Sequence, residues 1–358
     1  MESMDVDLFN NFYKGKKVLI TGHTGFKGSW LSIWLTQLGA NVYGYSLPAE
    51  PTNCNYNVTG LDSKLTSLYD DILDKKKLQD FFLFYKPDIA FHLAAQPLVL
   101  ESFENPSDTF NVNVQGTVNF LEAVKNCESV SAAVVISSDK CYHNNEWVWG
   151  YRENDPMGGN DPYSASKGCA ELVTQSYINS FFKSNESCVV ASARAGNVIG
   201  GGDWSENRIV PDFYRAVLNN KKIELRNPES TRPWQFVLEP LFGYLRLAEK
   251  LNQDISKFGY GWNFGPSEKS YSVQKLIDEL VKLGGFSQSI ITFGKSENVP
   301  HESKSLRLDV SKASQYLNWR PVLNFSQCVQ FTNESYLKYS FEDRVNQIRN
   351  FVQIEKKR

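Results

Sequence analysis

Short apolar runs rich in β-branched residues lie at 17–21 (KVLIT), 41–46, 65–69, 88–93, 132–137 (AAVVIS) and 188–194. They alternate with helical patterns at 26–38, 74–85, 108–125 and 163–182. In the first of these helices Trp30, Ile33, Trp34 and Leu38 recur at helical spacing, and Lys86-Pro87 breaks the chain before the fourth strand. Strands that are apolar on both faces must be covered on both, and parallel strands joined by helices need right-handed crossovers. The alternation therefore predicts an α/β fold with a doubly wound, Rossmann-type parallel sheet.

After Gly196 the texture changes. Elements shorten, and Gly200–Gly202, Pro211, Pro228, Pro233, Pro240 and Pro266 punctuate them. This predicts a smaller C-terminal substrate lobe interleaved with the large sheet. The expected division is a dinucleotide-binding domain over 14–195, to which part of 233–264 returns, and a substrate lobe over 196–232 and 265–340. A helical tail over 341–358 follows, with its helix expected from 343, and a short strand is expected at 306–309.

Composition excludes several classes. Across 358 residues, 38 Lys plus Arg face 40 Asp plus Glu, a net charge of -2 that offers no basic surplus for nucleic acid. No apolar run reaches a membrane span, and the acidic start is not a secretory signal. Six scattered cysteines without a CxxC pair point to a reducing, cytoplasmic setting. Four histidines without ligand spacing give no support for a metal site.

Between the first strand and first helix stands Thr21-Gly22-His23-Thr24-Gly25-Phe26-Lys27-Gly28. Gly22 suits a tight turn, Gly25 a close approach to a pyrophosphate, and Gly28 tight packing of the helix, whose first N–H groups face an anion. His23 and Lys27 are unusual here; Lys27 either reaches the pyrophosphate or is solvated. The acidic residue usual after the second strand is replaced by Gly44, Tyr45 and Ser46, with no arginine nearby, which favours NAD over NADP by default. Asp71-Ile72 suits adenine, with an ordinary strand-end aspartate as the alternative.

Tyr163-Ser164-Ala165-Ser166-Lys167 opens a helix, and residues four apart share one helical face. A lysine charge and an oxidised nicotinamide both favour the phenolate, so Tyr163 is a candidate base. Ser138-Asp139-Lys140 follows the fifth strand, at the end where open α/β sheets seat their ligands. Ser138 is placed to hydrogen-bond a substrate hydroxyl, and Asp139 with Lys140 forms an acid/base couple. For a diphosphate, bidentate guanidinium donors serve best. Arg232 is the first choice and Arg208 the second, though Arg208 has a local pairing as its alternative. Asn197 suits a polar contact to the nucleotide or sugar, or else shapes its loop. His301 either closes the nucleotide pocket or is exposed, while His92 and His143 read as structural.

These motifs sit within longer strings: TGHTGFKGSWL (21–31), FHLAAQPLV (91–99), SSDKCYHNNEW (137–147), RAGNVIGGGDW (194–204) followed by NRIVPD, and RPWQFVLEPL (232–241). In that order they resemble the extended short-chain dehydrogenase/reductase family over nearly the whole chain, and within it the sugar-nucleotide 4,6-dehydratases. The resemblance implies bound NAD, with contacts that also include Phe26, Ala94 and Ala95. It implies a nucleotide-sugar substrate, CDP-glucose, whose cytosine rests on the resemblance alone. Tyr163 with Lys167 and Ser138 would take the C4 hydroxyl proton, Lys140 the C5 proton, and protonated Asp139 would give its proton to the leaving C6 hydroxyl. As a base, Lys140 must first lose its own proton, which an ordinary lysine does not do near neutrality. The product would be CDP-4-keto-6-deoxyglucose, with no net NADH. A 4-epimerase, or a dehydratase of another nucleotide sugar, is the alternative. In related enzymes the helices at 108–125 and 163–182 build a four-helix interface, which implies a homodimer or homotetramer.

Overall fold

The computed structural model describes residues 6–183, 188–252, 258–267, 270–294 and 306–358. Its centre is a seven-stranded parallel sheet. The strands are β1 (Lys17–Thr21), β2 (Asn41–Ser46), β3 (Thr66–Tyr69), β4 (Ile89–His92), β5 (Ala132–Ile136), β6 (Val189–Arg194) and β7 (Gly261–Asn263). Their spatial order is β7-β6-β5-β4-β1-β2-β3. The order reverses between β1 and β4, which opens a crevice at the carboxyl ends of those strands.

Helix α1 (Phe26–Gln37) shows why the sheet needs cover on both faces. Trp30 and Trp34 on it are fully buried, and the Trp34 ring meets Phe351 of α7 (Phe341–Lys356) edge-on at 5.8 Å. Helix α7 begins two residues earlier than expected. Ser340 and Asp343 close a capping box there, satisfying N–H groups that the first turn leaves free. The helix also carries Arg344 into the interior, over the Trp30 ring at 4.7 Å. There Arg344 donates to Asn55 Oδ1 at 2.7 Å, the Ser335 carbonyl at 2.6 Å and the Lys338 carbonyl at 3.0 Å. Truncating it strands the buried Asn55 and Ser335 acceptors and opens a cavity. Arg344→Ala is expected to lower unfolding free energy by about 3 kcal/mol, read from urea denaturation.

Helices α2 (Lys75–Tyr85), α3 (Gly116–Lys125) and α4 (Pro162–Tyr177) follow the expected order with shifted ends, whereas α5 (Leu238–Leu251) and α6 (Phe325–Leu337) stand where the sequence pattern named no helix. The single helix expected over 108–125 is in fact three pieces. Pro106 starts Pro106–Phe110, Asn111–Gln115 widens to a π-turn, and α3 completes the run. Its first residue, Gly116, lies so close to Ile72 that a Cβ would come within 3.0 Å of that side chain. A helix at Val99–Glu104 was not anticipated. The strand expected at 306–309 is only a single bridge from Leu308 to Tyr151, because its partner is a loop rather than a sheet edge.

Beyond β6, three two-stranded ladders carry the shorter elements. Val198–Ile199 pairs with Gln235–Phe236, Thr231–Arg232 with Tyr271–Ser272, and Ile223–Leu225 with Ile291–Phe293. The first ladder starts soon after β6, and Asn197 just before it donates to Asp139 beyond the end of β5, so this segment returns to the crevice.

Candidate active site

The floor of the crevice is the glycine turn. Gly22 has φ of +74°, and a Cβ there would fall 2.6 Å from the Ala94 backbone nitrogen, so the turn after β1 abuts the segment after β4. A Cβ on Gly28 would strike the Gly22 carbonyl, so α1 lies directly against the turn. Gly25 is the N-cap of α1 and Phe26 its first residue, which leaves free N–H groups at the crevice. Ala94 and Ala95 line the opposite side, half-buried. Lys27 is also half-buried, and burial with the Arg208 and Lys167 charges lowers its pKa to about 8, while Asp139 and Asp203 oppose this. It therefore points among the charged groups of the crevice rather than into solvent.

At the sheet's edge, Asp71 is exposed and its Oδ1 accepts from Leu73 N at 2.9 Å, while Ile72 is buried. The Ser46 and Thr24 hydroxyls share a hydrogen bond of 2.8 Å where an acidic residue is usual. His23 turns inward instead, its ring packed over Gly44 and bonded to Ser67 Oγ at 3.1 Å.

β5 delivers the acid. Ser138 Oγ donates to Asp139 Oδ1 at 3.0 Å and accepts from Lys140 N at 3.2 Å, while Asn197 Nδ2 donates to Asp139 Oδ2 at 3.3 Å. Gly196 has no Cβ because the Asp139 carboxylate occupies that space. Asp139 is 4% exposed, and burial raises its pKa against the pull of Lys140, Ser138 and Lys27. Such an environment favours the protonated acid.

Helix α4 supplies the phenol and an ammonium. Asp161 caps it, accepting from Ser164 N at 2.8 Å, and Tyr163 and Lys167 follow on one buried face. Burial lowers the Lys167 pKa to about 8, opposed by Glu171 and Cys141. Burial sets the Tyr163 pKa above its ordinary value, and the Ser138 hydrogen bond and the Arg208 guanidinium pull it down.

Arg208 reaches the crevice but is paired there, with Asp203 Oδ2 at 2.9 Å and the Pro97 carbonyl at 3.2 Å. Arg232 is half-buried on its ladder, its Nη1 donating to the Thr231 carbonyl at 2.8 Å. His301 lies outside the described residues. His92 is held by Thr21 Oγ1 at 2.7 Å and stacks on Phe120 at 4.7 Å, a core contact.

Three further residues support the site without a motif of their own. Ser102, on the unanticipated helix, accepts from Tyr163 N at 3.2 Å. Asn113 donates to Ser166 Oγ at 2.9 Å and to the Gln96 carbonyl at 3.1 Å, tying α4 to the segment after β4. Glu171 accepts from Arg194 Nε and Nη2, each at 2.9 Å, one turn beyond Lys167. Only their helical spacing from Tyr163 and Lys167 hinted at the last, and nothing in the local sequence marked the other two.

Burial also sets a pH response. The His92 pKa falls from 6.5 to about 3, so the folded protein keeps this ring neutral while the unfolded chain takes up a proton below 6.5. Stability from His92 is complete above 6.5 and is lost as the pH falls through the interval toward 3. Between pH 7 and 5 the loss is about 2 kcal/mol. The urea-midpoint gap between the parent and His92→Gln should therefore narrow on acidification, and a constant gap would contradict the assignment.

Comparison with known proteins adds to this geometry. A family model described as GDP-mannose 4,6 dehydratase matches residues 19–332. CDP-glucose 4,6-dehydratase of Salmonella typhimurium is 51% identical over 316 residues, spanning 87% of this chain and 88% of that one. GDP-mannose 4,6 dehydratase 1 of Arabidopsis thaliana is 26% identical over 372 residues, spanning 96% of each. Among solved structures, dTDP-glucose 4,6-dehydratase from Streptomyces venezuelae with NAD bound has a TM-score of 0.77 at 22% identity, over 90% of this chain and 97% of that one. UDP-glucose 4-epimerase from Thermotoga maritima gives 0.76 at 20% identity, over 90% of this chain and 98% of that one. These two share the fold.

Proposed function

Since the chain belongs to the GDP-mannose 4,6 dehydratase family, we propose that it converts CDP-glucose to CDP-4-keto-6-deoxyglucose and water with NAD as a retained cofactor. The observation that carries this reading is a buried Asp139 next to Lys140, in one crevice with Ser138 and Tyr163. An epimerase needs the phenol but has no use for such an acid/base couple. The cytosine rests on likeness to the Salmonella enzyme.

The turn fits a dinucleotide, because Gly22 and Gly28 let α1 and the segment after β4 close tightly on it, while exposed Gly25 leaves the first N–H groups of α1 open to the crevice. Gly22, Gly25, Phe26, Lys27 and Gly28 would hold the pyrophosphate, Asp71 and Ile72 the adenine, and Ala94 and Ala95 the nicotinamide side. Bound NAD supplies the oxidation at C4 and the reduction at C6. Tyr163 takes the C4 hydroxyl proton, with Ser138 holding the oxygen and Lys167 beside the phenol. The 4-ketone acidifies C5–H. Lys140 removes that proton, and Asp139 protonates the C6 hydroxyl as it leaves. Lys140 afterwards returns its proton to C5.

Arg232, Arg208 and Asn197 are assigned to the nucleotide sugar, with Arg208 held in place by Asp203. Residues 14–195, with part of 233–264, would serve the cofactor, and 196–232 with 265–340 the substrate. Phe103, Phe110, Leu172 and Phe181 leave large apolar surface exposed around α4 and the segment before α3, Leu172 at 55%. That surface supports a homodimer or larger assembly through these helices. Purified protein mixed with CDP-glucose and NAD⁺ should yield a 4-keto-6-deoxy sugar with no build-up of NADH. CDP-galactose as the product would overturn the dehydratase in favour of an epimerase.

A further inference from the structure

Proton balance leaves one demand unmet by these roles. Each turnover moves the C4 hydroxyl proton onto Tyr163 and the Asp139 proton into the expelled water, while the C5 proton goes to Lys140 and returns. Tyr163 ends one proton richer and Asp139 one poorer. Asp139 is 4% exposed, so its proton must be restored through a defined path: Ser138, bonded to both Tyr163 and Asp139, offers an internal one, and the side of Asp139 away from the phenol offers a second that leads to solvent.

Gln235 stands behind it. Its Nε2 donates to the Gly196 carbonyl at 2.9 Å and the Phe264 carbonyl at 3.2 Å. With both hydrogens committed, the amide cannot flip, and Oε1 is fixed as an acceptor. That oxygen is buried without a partner on a side chain 3% exposed. Gln235 and Asp139 line the same small chamber, of about 10 Å³, with Gly196, Gly265, Arg307 and Leu308. This is room for about one water. Arg307 and Leu308 are part-exposed, so the chamber leads from the acid toward solvent.

We propose that Gln235 is a positioning residue that seats one water behind Asp139, and that this water returns a proton to Asp139 from bulk solvent after each elimination. One water hydrogen is held by Oε1. The water's oxygen accepts from the protonated acid, and its second hydrogen serves the carboxylate, so the seat suits both states of Asp139. The proton enters from solvent as the water passes its own to Asp139, and no bond to carbon changes.

The proposal rests on Asp139 being the acid, and the test separates the two. Gln235→Leu removes the acceptor at similar volume. With NAD-loaded enzyme in excess over CDP-glucose, its first-turnover elimination should stay within about twofold of the parent. Its steady-state kcat should fall about tenfold or more, with a larger solvent deuterium isotope effect. Equal losses in both regimes, or none in either, would overturn the relay. Should the leucine variant fail to fold, Gln235→Met removes the acceptor with a more flexible side chain of similar volume and should show the same split, a near-parental first turnover and a slowed steady state; matched losses in both regimes again count against the relay. A high-resolution crystal structure should show an ordered water bonded to Gln235 Oε1 and the Asp139 carboxyl, and its absence would refute the seat. If Asp139→Asn leaves first-turnover elimination at the parental rate, the acid assignment itself is what fails.

Discussion

Tyr163→Phe should lower kcat by about three orders of magnitude, within the range a single positioned proton acceptor supplies, and leave KM and thermal stability near the parent's. The ring is buried at the start of α4, where phenylalanine fills the same volume, and the helix is anchored by Asp161 and by Ser102 rather than by the phenol. The loss therefore falls on the step that needs the oxygen. Burial holds this phenol above its ordinary pKa, so the phenolate population grows as the pH rises, and kcat/KM in the parent should climb toward alkaline pH. In the phenylalanine variant that limb disappears. Product formation followed by mass spectrometry across pH decides the matter; a rate within tenfold of the parent would remove Tyr163 from the base role.

Much of the candidate site is legible in the sequence, for reasons that differ from residue to residue. The glycines were readable because each meets a local steric demand, as with the positive φ at Gly22. Ser138 and Asp139 were readable because strand ends in a doubly wound sheet converge on one crevice. What tertiary contacts decide was not readable. The run over 108–125 does not keep one helical geometry, because it widens to a π-turn at Asn111–Gln115, where Asn113 reaches Ser166 across the fold, a contact absent from its own periodicity. For Arg208 the sequence left a phosphate ligand and a local pairing open, and it did not point to the partner: the buried Asp203 is five residues away in a glycine-rich turn with no regular period. Gln235 was passed over inside RPWQFVLEPL, because an amide gains meaning only from the two carbonyls that lock its orientation.

The acid/base couple can be taken apart experimentally, and its two halves should fail differently. Asp139→Asn keeps the shape and its donors from Ser138 but cannot protonate a leaving hydroxyl. Lys140 still removes the C5 proton in that variant, so in D₂O the sugar should exchange C5–H for deuterium while dehydration falls by about 10²–10³. Lys140→Met should lose exchange and dehydration together, by about the same factor, because elimination cannot begin without the C5 carbanion. Both variants should still oxidise C4, since Tyr163, Lys167 and Ser138 are untouched, and a 4-keto sugar trapped by borohydride would report it. The pattern discriminates because a merely structural lesson at either position would depress oxidation as well: Asp139 accepts from both Ser138 and Asn197, so a collapse there would disturb the hydroxyl that serves Tyr163. If Lys140→Met dehydrates at the parental rate, the C5 base lies elsewhere; the order of proton removal before hydroxyl loss would then need another cation or carboxylate in the same crevice, and Lys27, among Arg208, Lys167, Asp139 and Asp203, is the residue its placement would nominate.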